Sequence, residues 1–281
     1  MTLKLLDLFS GIGGFSLGLE RSGGFKTVAF CEIEEYPQAV LRKHWPKVPI
    51  YDDIRTLTAE RLATDGIAID AICGGFPCQD ISTAGKGAGI DGERSGLWKE
   101  YARLIGELRP RYAIVENVAA LLGRGLGRVL GDLAAVGYDA EWHCISASAV
   151  GAPHERDRVW IVAYPSSEGL EGLRSAFGTR EEITDSGRLL ARANAEAIQR
   201  IHGIQYKGLC AIIDRVDYWP AWGGQQWPKT EPFICRVDDG IPDRVGRTSA
   251  CGNAVVPQIP EIIGKAIMEH QAAVAKAELA A

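Results

Sequence analysis

Short apolar runs alternate with amphipathic segments through the first 165 residues of the chain. The runs are rich in β-branched and aromatic residues and predict buried strands over 3–9, 27–33, 69–75, 112–118, 141–150 and 158–164. The segments between them have helical spacing and predict helices over 15–23, 36–45, 97–109 and 125–138. This alternation predicts an α/β fold with a doubly wound, mostly parallel sheet, covered by helices on both faces.

The pattern changes in the last third of the chain. Residues 166–245 are irregular, with several Trp and Tyr residues and clustered Gly, Gln and Pro. A 3.6-residue period returns at 258–269 and predicts a closing helix. We therefore predict three parts: a sheet domain at 1–165, a small irregular domain at 166–245, and a C-terminal segment at 246–281 that returns to the first domain.

Composition excludes several classes of protein. The charged fraction of 24% is typical of a globular chain, and no apolar run approaches the roughly 18 residues of a membrane span. The first apolar run is broken by Asp7 and is too short for a secretion signal. The seven cysteines have neither Cys-x-x-Cys nor zinc spacing, so we expect reduced thiols, no metal site and a cytoplasmic location.

The net charge of −5 argues against binding of nucleic acid by bulk attraction. Any site for a polyanion must therefore come from local clusters of Arg and Lys.

A glycine-rich turn at 11–14 follows the first predicted strand. Glycines at a strand-to-helix turn let a ligand approach the backbone and the helix N–H groups, and Glu32, after the second run, is placed to bind a ribose diol. Asp52 and Asp53 are suited to an adenine edge. The turn lacks the third glycine of the dinucleotide fingerprint, so a tight turn without a nucleotide remains an alternative. For Asp52 and Asp53 the alternative is a solvated turn.

Three further predicted strand ends carry reactive side chains. Cys78 lies in a Gly- and Pro-flanked loop, where an exposed thiolate is a nucleophile; a buried cysteine in a proline turn is the alternative. Glu116 ends an apolar run, where desolvation favours a proton donor, although a structural role is equally common. Arg156 and Arg158 lie on one face of an extended segment and can bind a carboxylate or phosphate, or form surface ion pairs.

In this order, the segments resemble the sequence blocks of the DNA (cytosine-5) methyltransferases. The matching blocks are DLFSGIGG, FCEIEEYP, DDIR, GGFPCQDIS, ENV, HERDRVW and GNAVVPQ, within 4–164 and 247–268. The resemblance implies a Rossmann-like, class I S-adenosylmethionine-dependent methyltransferase fold. It also implies that 1–165 is the catalytic domain and that 166–245 is a target-recognition domain, which would read base edges in the major groove.

The resemblance implies S-adenosyl-L-methionine as the cofactor. The residues implied to contact it are Phe9, Gly11, Gly13, Gly14, Glu32, Ile33, Asp53, Ile54, Pro77, Leu97, Asn253, Ala254 and Val255. Among them, Glu32 would bind the ribose, and Asp53 would bind the amino group of adenine. Ile33 and Ile54 would flank the adenine ring.

The resemblance also assigns the chemistry. The Cys78 thiolate would add to carbon 6 of a flipped-out cytosine, which makes carbon 5 nucleophilic enough to accept a methyl group. Glu116 would place a proton at N3, and Arg158 would bind O2. Arg156 would support Glu116 and the cysteine loop.

Double-stranded DNA is the implied partner. The resemblance places Gln79, Ser82, Lys86 and Arg94 in a loop that closes over the base, with the two basic residues meeting phosphates. We expect a monomer without a metal or a membrane contact. A restriction–modification system would pair it with a cognate restriction endonuclease.

Two departures from the family pattern and three rival functions remain open. His154 stands where the family usually has Gln, and the usual Arg-bearing block before Gly252 is missing. The short recognition segment implies a compact prokaryotic or phage enzyme without a fused regulatory domain. The rivals are a tRNA cytosine-5 methyltransferase, an NAD-dependent oxidoreductase that uses the glycine turn, and a catalytically silent DNA-binding relative.

Overall fold

A seven-stranded sheet forms the centre of the structure. The computed structural model describes residues 2–77, 96–152, 156–166 and 252–280, with side chains up to residue 272 in the last helix. The strands are β1 (Leu3–Leu8), β2 (Phe25–Cys31), β3 (Ile50–Tyr51), β4 (Ala71–Gly75), β5 (Tyr112–Val118), β6 (Tyr138–Ile145) and β7 (Arg158–Pro165). The helices are α1 (Gly14–Arg21), α2 (Glu35–His44), α3 (Ala59–Thr64), α4 (Leu97–Leu108), α5 (Leu121–Arg124), α6 (Leu126–Ala135) and α7 (Gln258–Ala280), and a 3₁₀ turn covers Ser148–Val150.

The sheet is mostly parallel, as the alternation of runs predicts. Its strand order is β3-β2-β1-β4-β5-β7-β6, and β1 to β5 pair in parallel. Among the strands that the structure describes, β7 alone is reversed relative to the others, and it pairs antiparallel with β5 and with β6. The predicted class, a doubly wound α/β sheet, is therefore confirmed.

Hydrophobic clusters cover both faces of the sheet. Alternate residues of β1 divide between them: Leu6 and Leu8 join α4 and α6 on one face, whereas Leu3 and Leu5 join α1 and α7 on the other. Successive side chains of a strand point to opposite faces, so a central strand covered twice needs apolar residues at successive positions. The near-continuous apolar run in β1 has this cause.

The structure differs from the predicted elements in a few places. The predicted run at 141–150 is divided into the end of β6 and the 3₁₀ turn, and the closing helix extends beyond 269 to Ala280. β3 and α3 have no counterpart among the predicted elements, because two and six residues are too short to show a period. The domain at 166–245 lies almost wholly outside the described residues, so its boundaries remain predictions.

The C-terminal segment packs tightly on α1 through small residues. A Cβ added at Gly18 would lie 2.1 Å from the Pro257 carbonyl oxygen, and one at Gly264 of α7 would lie 2.6 Å from Ser22 Oγ. One added at Gly14 would lie 2.5 Å from the carbonyl oxygen of Val255. The C-terminal segment can therefore approach α1 this closely only where side chains are absent.

Gly18→Ala is expected to destabilise the protein by about 1–3 kcal/mol, because the new methyl group overlaps the backbone at Pro257. Gly131→Ala is the matched control: Gly131 lies in α6 with no atom within 4 Å of an added Cβ, so the helix should gain about 0.5–1 kcal/mol. Urea unfolding of both variants measures the difference. Equal effects of the two substitutions would contradict the close packing at Gly18.

Candidate active site

A cleft of about 670 Å³ opens at the edge of the sheet where the parallel strands end. In an open α/β sheet this edge is where ligands bind. The walls come from the turn after β1, the loops after β2, β3 and β4, the start of α4, the end of β5 and the start of β7. Residues far apart in the sequence therefore meet in one cavity.

The glycine turn after β1 has a constrained backbone. Phe9, Gly11 and Gly13 have φ angles of 52°, 52° and 86°, in the left-handed region. A non-glycine residue adopts this conformation only when its surroundings impose it, which is typical of functional sites. Ser10 contributes by donating its hydroxyl to the Asp7 carbonyl at 2.6 Å.

Glu32 holds the opposite side of this turn. One carboxylate oxygen accepts a hydrogen bond from the Gly11 backbone N–H at 2.7 Å, and the other accepts one from the Glu34 N–H at 2.8 Å. Burial raises the pKa of Glu32. The residue predicted to bind a ribose therefore also fixes the backbone that surrounds the cleft.

Asp7 stabilises this turn from within the core, a role that the sequence did not reveal. This fully buried carboxylate accepts hydrogen bonds from the backbone N–H of Ser16 at 3.2 Å and from its hydroxyl at 2.7 Å. It thus joins the end of β1 to the first turn of α1. Burial raises the pKa of Asp7 to about 7, although both bonds from Ser16 act in the opposite direction. The only signal in the sequence is a charged residue within an apolar run.

The predicted adenine side of the cleft combines apolar and acidic groups. Ile54 is buried, whereas the Ile33 side chain is 63% exposed and lies open to a ligand. Asp53 accepts hydrogen bonds from the Arg55 guanidinium at 2.7 and 3.0 Å, and these bonds lower the pKa of Asp53. Asp53 is therefore an ionised acceptor, partly engaged by Arg55.

A partly buried ion pair lies at the other end of the cleft. Arg158 Nε is 2.9 Å from Glu116 Oε1. Burial raises the pKa of Glu116, and the charges of Arg158 and Arg156 oppose this rise. Gly75 faces Glu116 across β4 and β5, and a Cβ there would lie 2.6 Å from Glu116 Oε2. Gly75 therefore provides the space for the carboxylate, which sequence reasoning did not identify.

The second arginine also binds the C-terminal segment. Arg156 donates from Nη1 to the carbonyl of Gly252 at 2.6 Å, which connects the entry to β7 with the C-terminal segment. The ion pair with Glu116 is made by Arg158, while Arg156 affects Glu116 through its charge.

Asn117 fixes the backbone after β4. Its side-chain amide donates to the carbonyl of Phe76 at 2.9 Å, and its side-chain oxygen accepts from the N–H of Val118. Both Asn117 and Phe76 are buried. Asn117 therefore orients the chain just before Pro77, and beyond the ENV motif no pattern in the sequence indicates this contact.

The cleft brings together most of the predicted site residues that the structure describes. Those that line it are Phe9, Gly11, Glu32, Ile33, Asp53, Ile54, Pro77, Leu97, Glu116, Arg156, Arg158 and Asn253. Four others are described but do not line it: Gly13, Gly14, Ala254 and Val255. Six lie outside the described residues: Cys78, Gln79, Ser82, Lys86, Arg94 and His154.

Within the described ranges, no group of three His, Cys, Asp or Glu side chains is arranged to hold a metal ion. The helices of that same part of the chain include none with the length and apolar character needed to cross a membrane. The three described cysteines, Cys31, Cys73 and Cys144, are free thiols, of which only Cys144 is exposed.

The sheet order and the turn at its carboxyl edge define a Rossmann-like α/β protein. A family model described as C-5 cytosine-specific DNA methylase matches residues 3–204. The chain therefore belongs to this family, and the family resemblance predicted from the sequence blocks is confirmed.

Two named relatives are Type II methyltransferases. M2.BsuMI of Bacillus subtilis (strain 168) is 39% identical over 169 residues, which cover 57% of this chain and 42% of the relative. M.CviJI of Paramecium bursaria Chlorella virus IL3A is 34% identical over 220 residues, 78% of this chain and 58% of the relative. The chain spans about half the length of the curated relatives that it matches.

Solved structures give the same class of fold. A prophage-encoded E. coli protein, named as a DNA modification methyltransferase, aligns with a TM-score of 0.51 and 28% identity over 59% of this chain and 48% of that chain. A mutant of Spodoptera frugiperda DNMT2 aligns with a TM-score of 0.50 and 23% identity over 64% of this chain and 54% of its own, which shows the fold alone.

The raised pKa of Asp7 predicts a pH-dependent stability. Its folded-state pKa of about 7 lies above the ordinary value of 3.8, so the folded protein binds this proton more tightly than the unfolded chain does. The resulting stabilisation is complete below about pH 4 and is lost as the pH rises toward 7.

Asp7→Asn keeps an acceptor for Ser16 but cannot ionise. Its unfolding free energy, relative to that of the unsubstituted protein, should therefore increase by up to about 1.4 kcal/mol per pH unit between about pH 4 and 7. Glu32 titrates in both proteins, so the difference isolates Asp7. Urea unfolding at several pH values measures it, and a difference independent of pH would contradict the assignment.

Proposed function

We propose that this protein transfers a methyl group from S-adenosyl-L-methionine to carbon 5 of a cytosine that is flipped out of double-stranded DNA at a specific sequence. One observation carries the proposal: the buried Glu116 carboxylate, paired with the Arg158 guanidinium, shares a single cleft with a glycine turn and the ribose-type acceptor Glu32. Family membership and the Type II methyltransferase names of the relatives support it.

The cleft suits the proposed cofactor. Gly11 leaves open space at its α-carbon, where no atom lies within 4 Å of an added Cβ, and its left-handed backbone bends around the cavity. Ile33 and Ile54 offer apolar surface for an adenine ring, and Glu32 is an acceptor for ribose hydroxyls. When bound, S-adenosyl-L-methionine would supply a methyl group activated by its sulfonium.

The chemistry on the base follows from the residue types. The Cys78 thiolate forms a sulfur–carbon bond at C6, and the displaced electron pair makes C5 the nucleophile that takes the methyl group. A base then removes the C5 proton, the double bond re-forms, and the thiolate leaves.

Glu116 and Arg158 act on the other side of the ring. Burial raises the pKa of Glu116, which is the direction that a proton donor to N3 requires as negative charge develops on the ring. Arg158 lies beside it and binds O2. In a cleft with little water, such fixed donors stabilise the adduct more than solvent would.

We assign recognition of DNA to segments that lie between the cleft-lining residues in the sequence. Lys86 and Arg94 contact phosphates, and Gln79 and Ser82 support the loop around the base. The segment 166–245 reads base edges. The Type II names of the relatives favour a restriction–modification system with a cognate endonuclease, in which this chain acts as a monomer.

The proposal predicts methylation of duplex DNA. A plasmid propagated in cells that express the protein should carry 5-methylcytosine at one sequence context, which bisulfite sequencing maps. In vitro, labelled S-adenosyl-L-methionine should label this duplex and leave tRNA unlabelled. Label confined to tRNA would replace DNA with RNA as the substrate, and absence of label in both would remove the proposal.

Cys78→Ser should abolish covalent capture of the base. DNA with 5-fluorocytosine at the mapped position retains the adduct, because fluorine at C5 cannot leave as a proton does. Gel electrophoresis in denaturant should show this adduct for the unsubstituted protein and for Cys144→Ser, a control at an exposed thiol. An adduct that persists in Cys78→Ser would exclude Cys78 as the nucleophile.

A further inference from the structure

We propose that Arg103, which does not line the cleft, is a positioning residue for the cofactor. Its guanidinium holds the main chain of the segment 53–57 in the shape that presents Asp53 and Ile54 to an adenine ring. This inference rests on the proposed function, because the occupant of that part of the cleft is the adenosine half of S-adenosyl-L-methionine.

The guanidinium binds main-chain carbonyls of this segment directly. Arg103 Nη2 donates to the carbonyl oxygens of Ile54 and Leu57, each at 2.9 Å. Both side chains, Ile54 and Leu57, are buried in the core on this face of the sheet. The segment is therefore attached on one side by apolar packing and on the other by a single charged group.

Two glutamates fix the orientation of that group. Glu100 and Glu107 accept from Arg103 Nε and Nη1, each at 2.7 Å, from positions three residues before and four residues after it on α4. Glu107 also accepts from the backbone N–H of Ala59, the first residue of α3, at 3.1 Å. This Glu100–Arg103–Glu107 stripe therefore holds both the segment and the helix that follows it.

The segment needs this support because its remaining hydrogen bonds are mostly local. The N–H groups of Thr56 and Leu57 both donate to the carbonyl of Asp53, and Arg55 binds the Asp53 side chain. These contacts shape the turn but do not attach it to the rest of the protein. The stripe on α4 does, and the same helix begins at Leu97, which lines the cleft.

Lysine cannot replace the arginine here. A single ammonium on a flexible stem lacks the planar fork that reaches two carbonyls and two carboxylates at once. Arg103→Lys therefore keeps the charge and helix propensity but loses the geometry, which separates positioning from electrostatics.

The test uses calorimetry to measure how tightly S-adenosylhomocysteine binds to an enzyme that starts free of ligand. Arg103→Ala and Arg103→Lys should each weaken binding about tenfold, the loss expected for hydrogen bonds from a charged group. Arg61→Ala is the matched control, since the Arg61 side chain on α3 is 62% exposed, forms an ion pair with Asp65 and does not line the cleft, so binding should be unchanged.

Amide hydrogen exchange gives a second readout. A general loss of stability would raise exchange throughout the protein, whereas loss of positioning should raise it locally. Exchange over 53–57 in the ligand-free protein should increase in both Arg103 variants and remain unchanged in Arg61→Ala. In steady state, KM for S-adenosyl-L-methionine should rise while kcat and KM for DNA stay constant. If Arg103→Ala does not fold, the measurements on Arg103→Lys test the inference.

The outcomes are distinguishable. If the unsubstituted protein binds S-adenosylhomocysteine and both Arg103 variants bind it equally well, the inference is overturned and the proposed function stands. If the unsubstituted protein does not bind S-adenosylhomocysteine, the proposed function falls, and the inference falls with it.

Discussion

A carboxylate at the end of a strand that is covered on both faces needs a nearby cation, and the direction of β7 supplies it. Because β7 runs antiparallel to β5, its first residue, Arg158, lies at the edge where β5 ends and reaches Glu116. In a parallel β7 the same residue would lie at the opposite edge, roughly 25 Å away for eight residues. An uncompensated buried carboxylate would be strongly unfavourable there. Among the described strands, the reversed direction of β7 thus allows a buried carboxylate beside the cleft.

The rest of the site is organised by carboxylates that bind backbone rather than cations. Asp7 binds the first turn of α1, and Glu32 binds the N–H of Gly11, so the glycine turn is held from two sides. Backbone N–H groups fixed in this way keep the left-handed conformation of Phe9, which would otherwise be unfavourable. The turn is therefore shaped before any ligand arrives, and this limits the ordering cost of binding.

The sequence allowed prediction of those features that depend on residues close together in the chain. Strands, main helices and the glycine turn follow from local spacing, and the family blocks indicate most of the residues that line the cleft. Contacts across long separations were not predictable: Asn117 reaches Phe76 over 41 residues, and Arg103 reaches Leu57 over 46. Nothing in an apolar run such as β7 indicates its direction either. The missed polar groups, Asp7, Asn117 and Arg103, share one property: each side chain binds main-chain atoms, which carry no sequence signal.

The two cleft arginines already bind other groups of the protein, and this bears on the proposal that an acidic protein binds DNA. With a net charge of −5, attraction to phosphates must be local, and Arg156 and Arg158 are natural candidates from sequence. In the structure, however, Arg158 is paired with the buried Glu116, and Arg156 binds the carbonyl of Gly252. Cations that are engaged inside the site contribute little to long-range attraction. Under the proposed function, contacts with phosphates would therefore come from Lys86, Arg94 and 166–245, and the cleft would hold the cofactor and a single base.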